Sequence, residues 1–189
     1  MRAGALSTPA AVRRLGERPP TWAQLAATAT LFAVVVLAVA LAVRLAAPGW
    51  LGASGTRELP NRPLLMLDIF VHNLLLALVP VFGGWLAAGH LSAGRRLAAG
   101  PFLALPAVVV ARSLATIGAV GGGDPRWLAD AARWWLLEVS ALAVSARTGL
   151  WLARHPQLRD EHGPAAMRRA LLAIVAALGA AACVEVLTA

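Results

Sequence analysis

Lysine and tyrosine are both absent from this 189-residue chain, and cysteine occurs once, at Cys183. A lone cysteine excludes an intramolecular disulfide and any cysteine metal cluster. Set in an apolar run, Cys183 reads as a small buried side chain. Charge is scarce as well: 14% of residues are charged against 59% hydrophobic, and mean hydropathy is +0.71. So few charged side chains could not cover a soluble domain of this size, whereas a bilayer is itself the solvent for outward-facing apolar groups. Nine residues are acidic and 17 basic, every basic one an arginine, for a net charge of +8. These arginines fall in short runs between apolar stretches. That is the pattern of cytoplasmic loops beside anionic lipid, and it argues against a nucleic-acid partner.

Residues 1–21 contain Arg2, Arg13, Arg14 and Arg18 together with Pro9, Pro19 and Pro20, and are expected to form a cytoplasmic arginine-rich tail. The rest, 22–189, is expected to be an all-α transmembrane domain of five helices, with spans near 22–47, 64–89, 101–120, 133–153 and 170–187. Each has about the length that crosses a hydrocarbon core ~30 Å thick. A cleaved secretory signal is the competing reading of the first apolar run. That run is long for a signal, Arg44 interrupts the cleavage region, and further spans follow. Gly121, Gly122, Gly123, Asp124 and Pro125 break the chain; without a following Lys-Ser or Lys-Thr they read as a connector, not a phosphate-binding loop. Pro156 and Pro164 mark a loop between the last two spans.

Orientation follows from the arginines. With the N-terminus inside, the inner segments hold Arg2, Arg13, Arg14, Arg18, Arg95, Arg96, Arg154, Arg159, Arg168 and Arg169, against Arg57, Arg62 and Arg126 in the outer loops. Adding Arg44 and Arg133 at the outer edges leaves the inner side ahead, so the expectation is N-in, C-out. All seven tryptophans lie near an expected span end, where an amphipathic ring favours the interface.

Several polar residues interrupt these spans: Asp68, His72 and Asn73 in the second, Arg112 in the third, and Glu138 and Arg147 in the fourth. An ionisable group in hydrocarbon costs ~2.5–3.5 kcal/mol on insertion scales, so it faces a partner or a wet cavity. Asp68 and His72 are four residues apart and share a helical face. Counted from the outer ends of their spans, Asp68, Arg112 and Glu138 differ in depth by only ~6 Å, and His72 lies at about the depth of Arg112. Asp68, His72, Asn73, Arg112 and Glu138 are therefore expected to form an intramembrane polar cluster. Two readings are open: a partner-binding notch, or an ion pair that fixes helix register. Arg147, half a turn away from Glu138, is expected to snorkel to the headgroups, and Glu185, near the outer end, to be solvated.

No catalytic set is visible. There is no HExxH, no adjacent pair of glutamates and no GxSxG. Asp68 and His72 alone are too few ligands for a metal. Ser140 and Ser145, and Gly83, Gly84, Ala87 and Ala88, read as small residues at close helix contacts.

Two blocks point further. One is His72-Asn73-Leu74-Leu75-Leu76-Ala77-Leu78-Val79-Pro80-Val81-Phe82-Gly83-Gly84; the other is Glu138-Val139-Ser140-Ala141, then Ser145, then Gly149-Leu150. They resemble the stage II sporulation protein M family of bacterial membrane proteins. There an asparagine near the start of one span precedes a glycine-rich apolar stretch, and a later block carries a glutamate, small residues and Gly-Leu. That family has His-Gly before the glutamate, where this chain has Trp134 and Trp135. The resemblance implies a non-enzymatic scaffold or assembly protein, multi-pass in the bacterial cytoplasmic membrane and without cofactor or metal. Its expected partners are membrane lipid, envelope proteins including peptidoglycan-remodelling ones, and a second copy of the chain. A small permease subunit working with a separate ATPase is the alternative, and a membrane enzyme with Glu138 as general base comes third.

Overall fold

The computed structural model describes residues 18–46, 62–89, 100–101, 104–111 and 125–188. Four long helices carry the fold: α1 (Trp22–Ala46), α2 (Arg62–Ala87), α3 (Pro125–Arg154) and α4 (Arg159–Thr188), with a single 3₁₀ turn, Pro156–Leu158, between the last two. All four are long and apolar enough to cross a membrane. Large apolar side chains such as Leu31, Val35, Leu67, Leu75, Leu150 and Leu172 are exposed on the outside of the bundle. The molecule is an all-α membrane bundle, because only in lipid are such outward faces stable.

Local chemistry sets the helix boundaries. Thr21 and Gln24 cap α1 reciprocally: the Gln24 backbone N–H donates to Thr21 Oγ1 at 3.3 Å, and the Thr21 N–H donates to Gln24 Oε1 at 3.0 Å. This is the capping box, and Pro19 and Pro20 just before it keep the helix from extending backward. Pro125 stands at the first position of α3, where its fixed φ suits helix entry and its missing N–H costs nothing. The helix therefore begins eight residues before the expected 133, while its apolar span, Ala132–Arg154, agrees with the expected 133–153. At the other end, Pro156 stops α3, and the His155 N–H turns back to the carbonyls of Trp151 (3.1 Å) and Leu152 (3.3 Å).

The loop expected through Pro164 is helix instead. Asp160 and Glu161 occupy the first turn of α4, where the helix dipole favours negative charge. Pro164 lies inside α4, where it removes one backbone donor. Neighbouring contacts hold the segment in place: Ala166 is buried, and Gly163 lets α4 close on the Trp85 ring of α2. A Cβ at Gly163 would stand 2.7 Å from Trp85 Cζ3.

Contacts fix the direction of each helix. Thr28 meets Arg147, and Val36 packs with Trp135 and Val139, so α1 runs antiparallel to α3. Asn73 meets Glu138 and Gly84 meets Gly149, so α2 runs parallel to α3. Trp85 meets Gly163 and Met66 meets Cys183, so α4 runs antiparallel to α2. The end of α2 and the start of α3 thus lie at opposite ends of the bundle, and the chain between them has to travel its length. Within that connection residues 104–111 are helical, with Val110 packed beside Val36, Trp135 and Val139. The rest of the expected third span, Arg112 included, lies outside the described residues, as do residues 1–17.

α3 is the axis of the bundle. It touches α1, α2 and α4, and 56% of its span is buried against 11% for α1. Ala77, Val81, Leu152, Ala170, Ile174 and Leu178 form the centre of the core. Cys183 departs from expectation: it is exposed, with Sγ 3.8 Å from Met66 Sδ. Two tryptophans depart as well. Trp135 and Trp151 are buried among helices although they lie near span ends, because α3 is enclosed along most of its length.

Candidate functional site

The α2–α3 seam brings the two sequence blocks together. Toward the start of α2, Asn73 Nδ2 donates to Glu138 Oε1. One turn further along α2, Ser145 Oγ donates to the Ala77 carbonyl. Further still, Gly84 lies on the backbone of Gly149 so closely that a Cβ there would stand 2.1 Å from the Gly149 carbonyl oxygen. Asn73 to Gly84 and Glu138 to Gly149 are equal steps of 11 residues, three turns of helix, so both sets stay on one face and in register. Small residues allow the approach and polar ones pin its register, as in other membrane helix pairs.

The void beside Asn73 and Glu138 is about 30 Å³ and otherwise lined by apolar side chains, among them Leu76, Val110, Trp135 and Leu142. That volume holds about one water. Glu185 of α4 comes within electrostatic range of Glu138, and its Oε2 is shielded from solvent. Expected to be solvated, Glu185 instead turns toward the bundle, because α4 packs against α2 and α3 along its length. Its position near the end of the last span gave no cue to this.

The other expected members lie elsewhere. Asp68 and His72 are exposed on the outward face of α2, with Leu64, Leu67, Val71 and Leu75 around them. Depth had placed them level with Glu138, but their azimuth turns them away: His72 is about 100° from Asn73 around the helix. Arg112 lies outside the described residues. Among the described residues no three His, Cys, Asp or Glu side chains converge as metal ligands.

The opposite end of the bundle collects cations. Arg147 is half-buried, with Nη1 donating to Thr28 Oγ1 of α1 at 2.7 Å. It reaches sideways to a neighbouring helix, whereas snorkelling along its own was expected. Arg159 stacks over the Trp85 ring at 4.3 Å, a cation–π contact. Arg169 Nη1 donates to the Pro20 carbonyl at 2.9 Å, tying the start of α1 to α4. His155 stacks on Trp151, ring centroids 5.4 Å apart, with its Nδ1 2.9 Å from the Trp151 carbonyl. The partners of the three arginines are distant in sequence, so only the arginine pattern was visible beforehand.

No family model, curated protein or solved structure matches this chain.

Proposed function

We propose that this protein is a non-enzymatic scaffold of the bacterial cytoplasmic membrane, oriented N-in and C-out, that holds envelope partners through its helix faces in the manner implied by its resemblance to stage II sporulation protein M. One observation carries the reading. The polar groups inside the bundle are used in joining α2 to α3, through Asn73 to Glu138 and Ser145 to Ala77. The void beside them is too small for a substrate. Asp68 and His72 meanwhile face outward, one turn apart, on a helix otherwise apolar at that level. Ionisable groups exposed on a membrane helix favour a polar partner that shields them from lipid. The same two blocks that carry the resemblance form the α2–α3 seam, which fits residues selected to build a rigid platform.

The experiment is mass spectrometry of what co-purifies with the tagged chain from mildly cross-linked native membranes, for the parent and for Asp68→Ala and His72→Ala variants. Envelope hydrolases or division proteins, lost from either variant while the bundle stays folded, support the scaffold. A stoichiometric cytoplasmic ATPase overturns it in favour of a transporter subunit. Equal recovery with all three chains rules out the α2 face as the contact.

A further inference from the structure

A second feature lies at the arginine-rich end, well away from the α2–α3 seam. Between the start of α1, the end of α3 and the helical stretch 104–111 is a cavity of about 790 Å³, within the range of small-molecule sites. We propose that it binds one anionic phospholipid, the phosphate headgroup held by Arg18, Arg147 and Arg154 and an acyl chain running inward past Phe32 and Ala143.

Charge comes first. Arg18, Arg147, Arg154 and His155 all line the cavity, and no Asp or Glu is among its described lining residues. Three guanidinium groups around one space repel one another unless an anion sits between them. Guanidinium groups match phosphate oxygens with paired N–H donors, and such charge-assisted bonds are the strong ones.

Unpartnered donors come next. Arg147 has one bond, to Thr28, while its Nε is buried with no acceptor; Trp151 Nε1, from another lining residue, is in the same condition. Both groups only donate, so an acceptor-rich ligand is what this wall lacks. Buried polar groups of this kind are uncommon in folded proteins.

Polarity then grades with depth. Arg154 ends α3, Arg147 lies seven residues before it, and on α1 Gln24 and Thr28 stand in the first two turns. At a rise of 1.5 Å per residue, these polar groups occupy roughly the outer 10 Å of the cavity. Below them the lining is apolar: Phe32 on α1 and Ala143 on α3 lie about 15–17 Å in. A free anion would need only the outer half. An amphiphile fits both halves, and basic pockets between transmembrane helices at the cytoplasmic side are where anionic headgroups bind.

The test uses the full-length chain, purified in detergent, stripped of lipid and titrated under native mass spectrometry. The probes are phosphatidylglycerol and phosphatidylcholine of the same acyl composition. The expected result is one phosphatidylglycerol retained at lipid concentrations where phosphatidylcholine is not. Replacing two arginines, Arg147→Gln with Arg154→Gln, should weaken that binding by roughly thirtyfold. Arg168→Gln, an exposed arginine at the same end but outside the cavity, should leave it unchanged. Should loss of the Arg147–Thr28 bond unfold the bundle, Arg18→Gln with Arg154→Gln removes two exposed arginines and must show the same loss. Equal binding of the two lipids, or unchanged binding in the double variants, overturns the proposal. Displacement of the lipid by millimolar inorganic phosphate also overturns it, since the site would then take the free anion. None of these outcomes depends on a protein partner, so the site stands or falls separately from the scaffold reading.

Discussion

Alanine at Gly84 should damage this bundle severely. The added Cβ would stand 2.1 Å from the carbonyl oxygen of Gly149, 2.5 Å from its Cα and 2.6 Å from its carbonyl carbon. All three are backbone atoms of α3, so no rotamer change relieves the clash. Restoring a contact of 3.4 Å to that oxygen requires the helices to separate by about 1.3 Å at the crossing. Gaps of 0.5–1 Å already forfeit a quarter to a half of a dispersion contact, and the neighbours here, Val81 and Leu152, have no exposed surface at all. Overpacking costs ~1–3 kcal/mol in general. With backbone on both sides of the clash, Gly84→Ala should fall at the upper end, near 3 kcal/mol, on the order of a hundredfold in the folded-to-unfolded ratio. The assay is titration of the detergent-solubilised protein with sodium dodecyl sulfate, followed by loss of helical circular dichroism. A variant that unfolds within ~0.5 kcal/mol of the parent would mean that the two backbones do not touch at this point.

Gly179→Ala serves as the opposite case, since a Cβ there meets nothing within 4 Å; the same titration should show no loss or a gain of up to ~1 kcal/mol from the stiffer helix. In a double-mutant cycle, Asn73→Ala and Glu138→Ala should show a coupling of roughly 0.5–1.7 kcal/mol, the range for hydrogen bonds between membrane helices, and zero coupling would remove this pair as a register lock. Thr28→Val should loosen α1 by ~1 kcal/mol through loss of the Arg147 bond, read as faster hydrogen exchange in α1 than in α3. For topology, a membrane-impermeant maleimide on intact cells should label Leu187→Cys, in a Cys183→Ser background, and should reach Arg168→Cys only after permeabilisation; the reverse pattern would invert the orientation.

Hydropathy located the four spans that fall on described residues because it depends on nothing but local composition. α1 and α2 begin and end within about two residues of where the apolar runs do. The fourth span was placed within a residue, although its helix continues back to Pro125; the start of α4 was misplaced because Pro164 was taken as a helix breaker. Proline breaks a helix by the donor it lacks and the ring it inserts. At the first position of α3 neither matters, and near the start of α4 the packing of Gly163 and Ala166 holds the helix regardless. The polar cluster was half legible. Counting residues from the span ends gives depth, and depth set Asp68 and His72 near Glu138, whereas the residue of α2 that meets Glu138 is Asn73. Azimuth is a different quantity, and a helix apolar on every side gives no moment from which to read it. The cue that did exist was size. Asn73, Ala77, Gly84 and Ala88 fall at spacings of four, seven and four residues along one face of α2, and that face, not the one with Asp68 and His72, meets α3.

The directions of the helices carry the topology further than the arginine count alone. Parallel packing of α2 and α3 follows from paired contacts at both ends of the seam and owes nothing to charge. Two parallel membrane helices consecutive in the described fold require the intervening chain to return across the bilayer. Residues 104–111, helical and packed beside α1 and α3, lie on that return. With α1 and α4 antiparallel to the pair, Trp22 and the α3–α4 turn lie at one end of the described bundle and Thr188 at the other. At the first of these ends stand Arg18, Arg147, Arg154, Arg159, Arg168 and Arg169. The positive-inside rule then needs to orient only one object, the whole bundle, and under the proposed N-in orientation the cationic end faces the cytoplasm. In that orientation the cytoplasmic leaflet supplies the anionic headgroups, so the arginine surplus behind the proposed topology also favours the lipid proposed for the cavity.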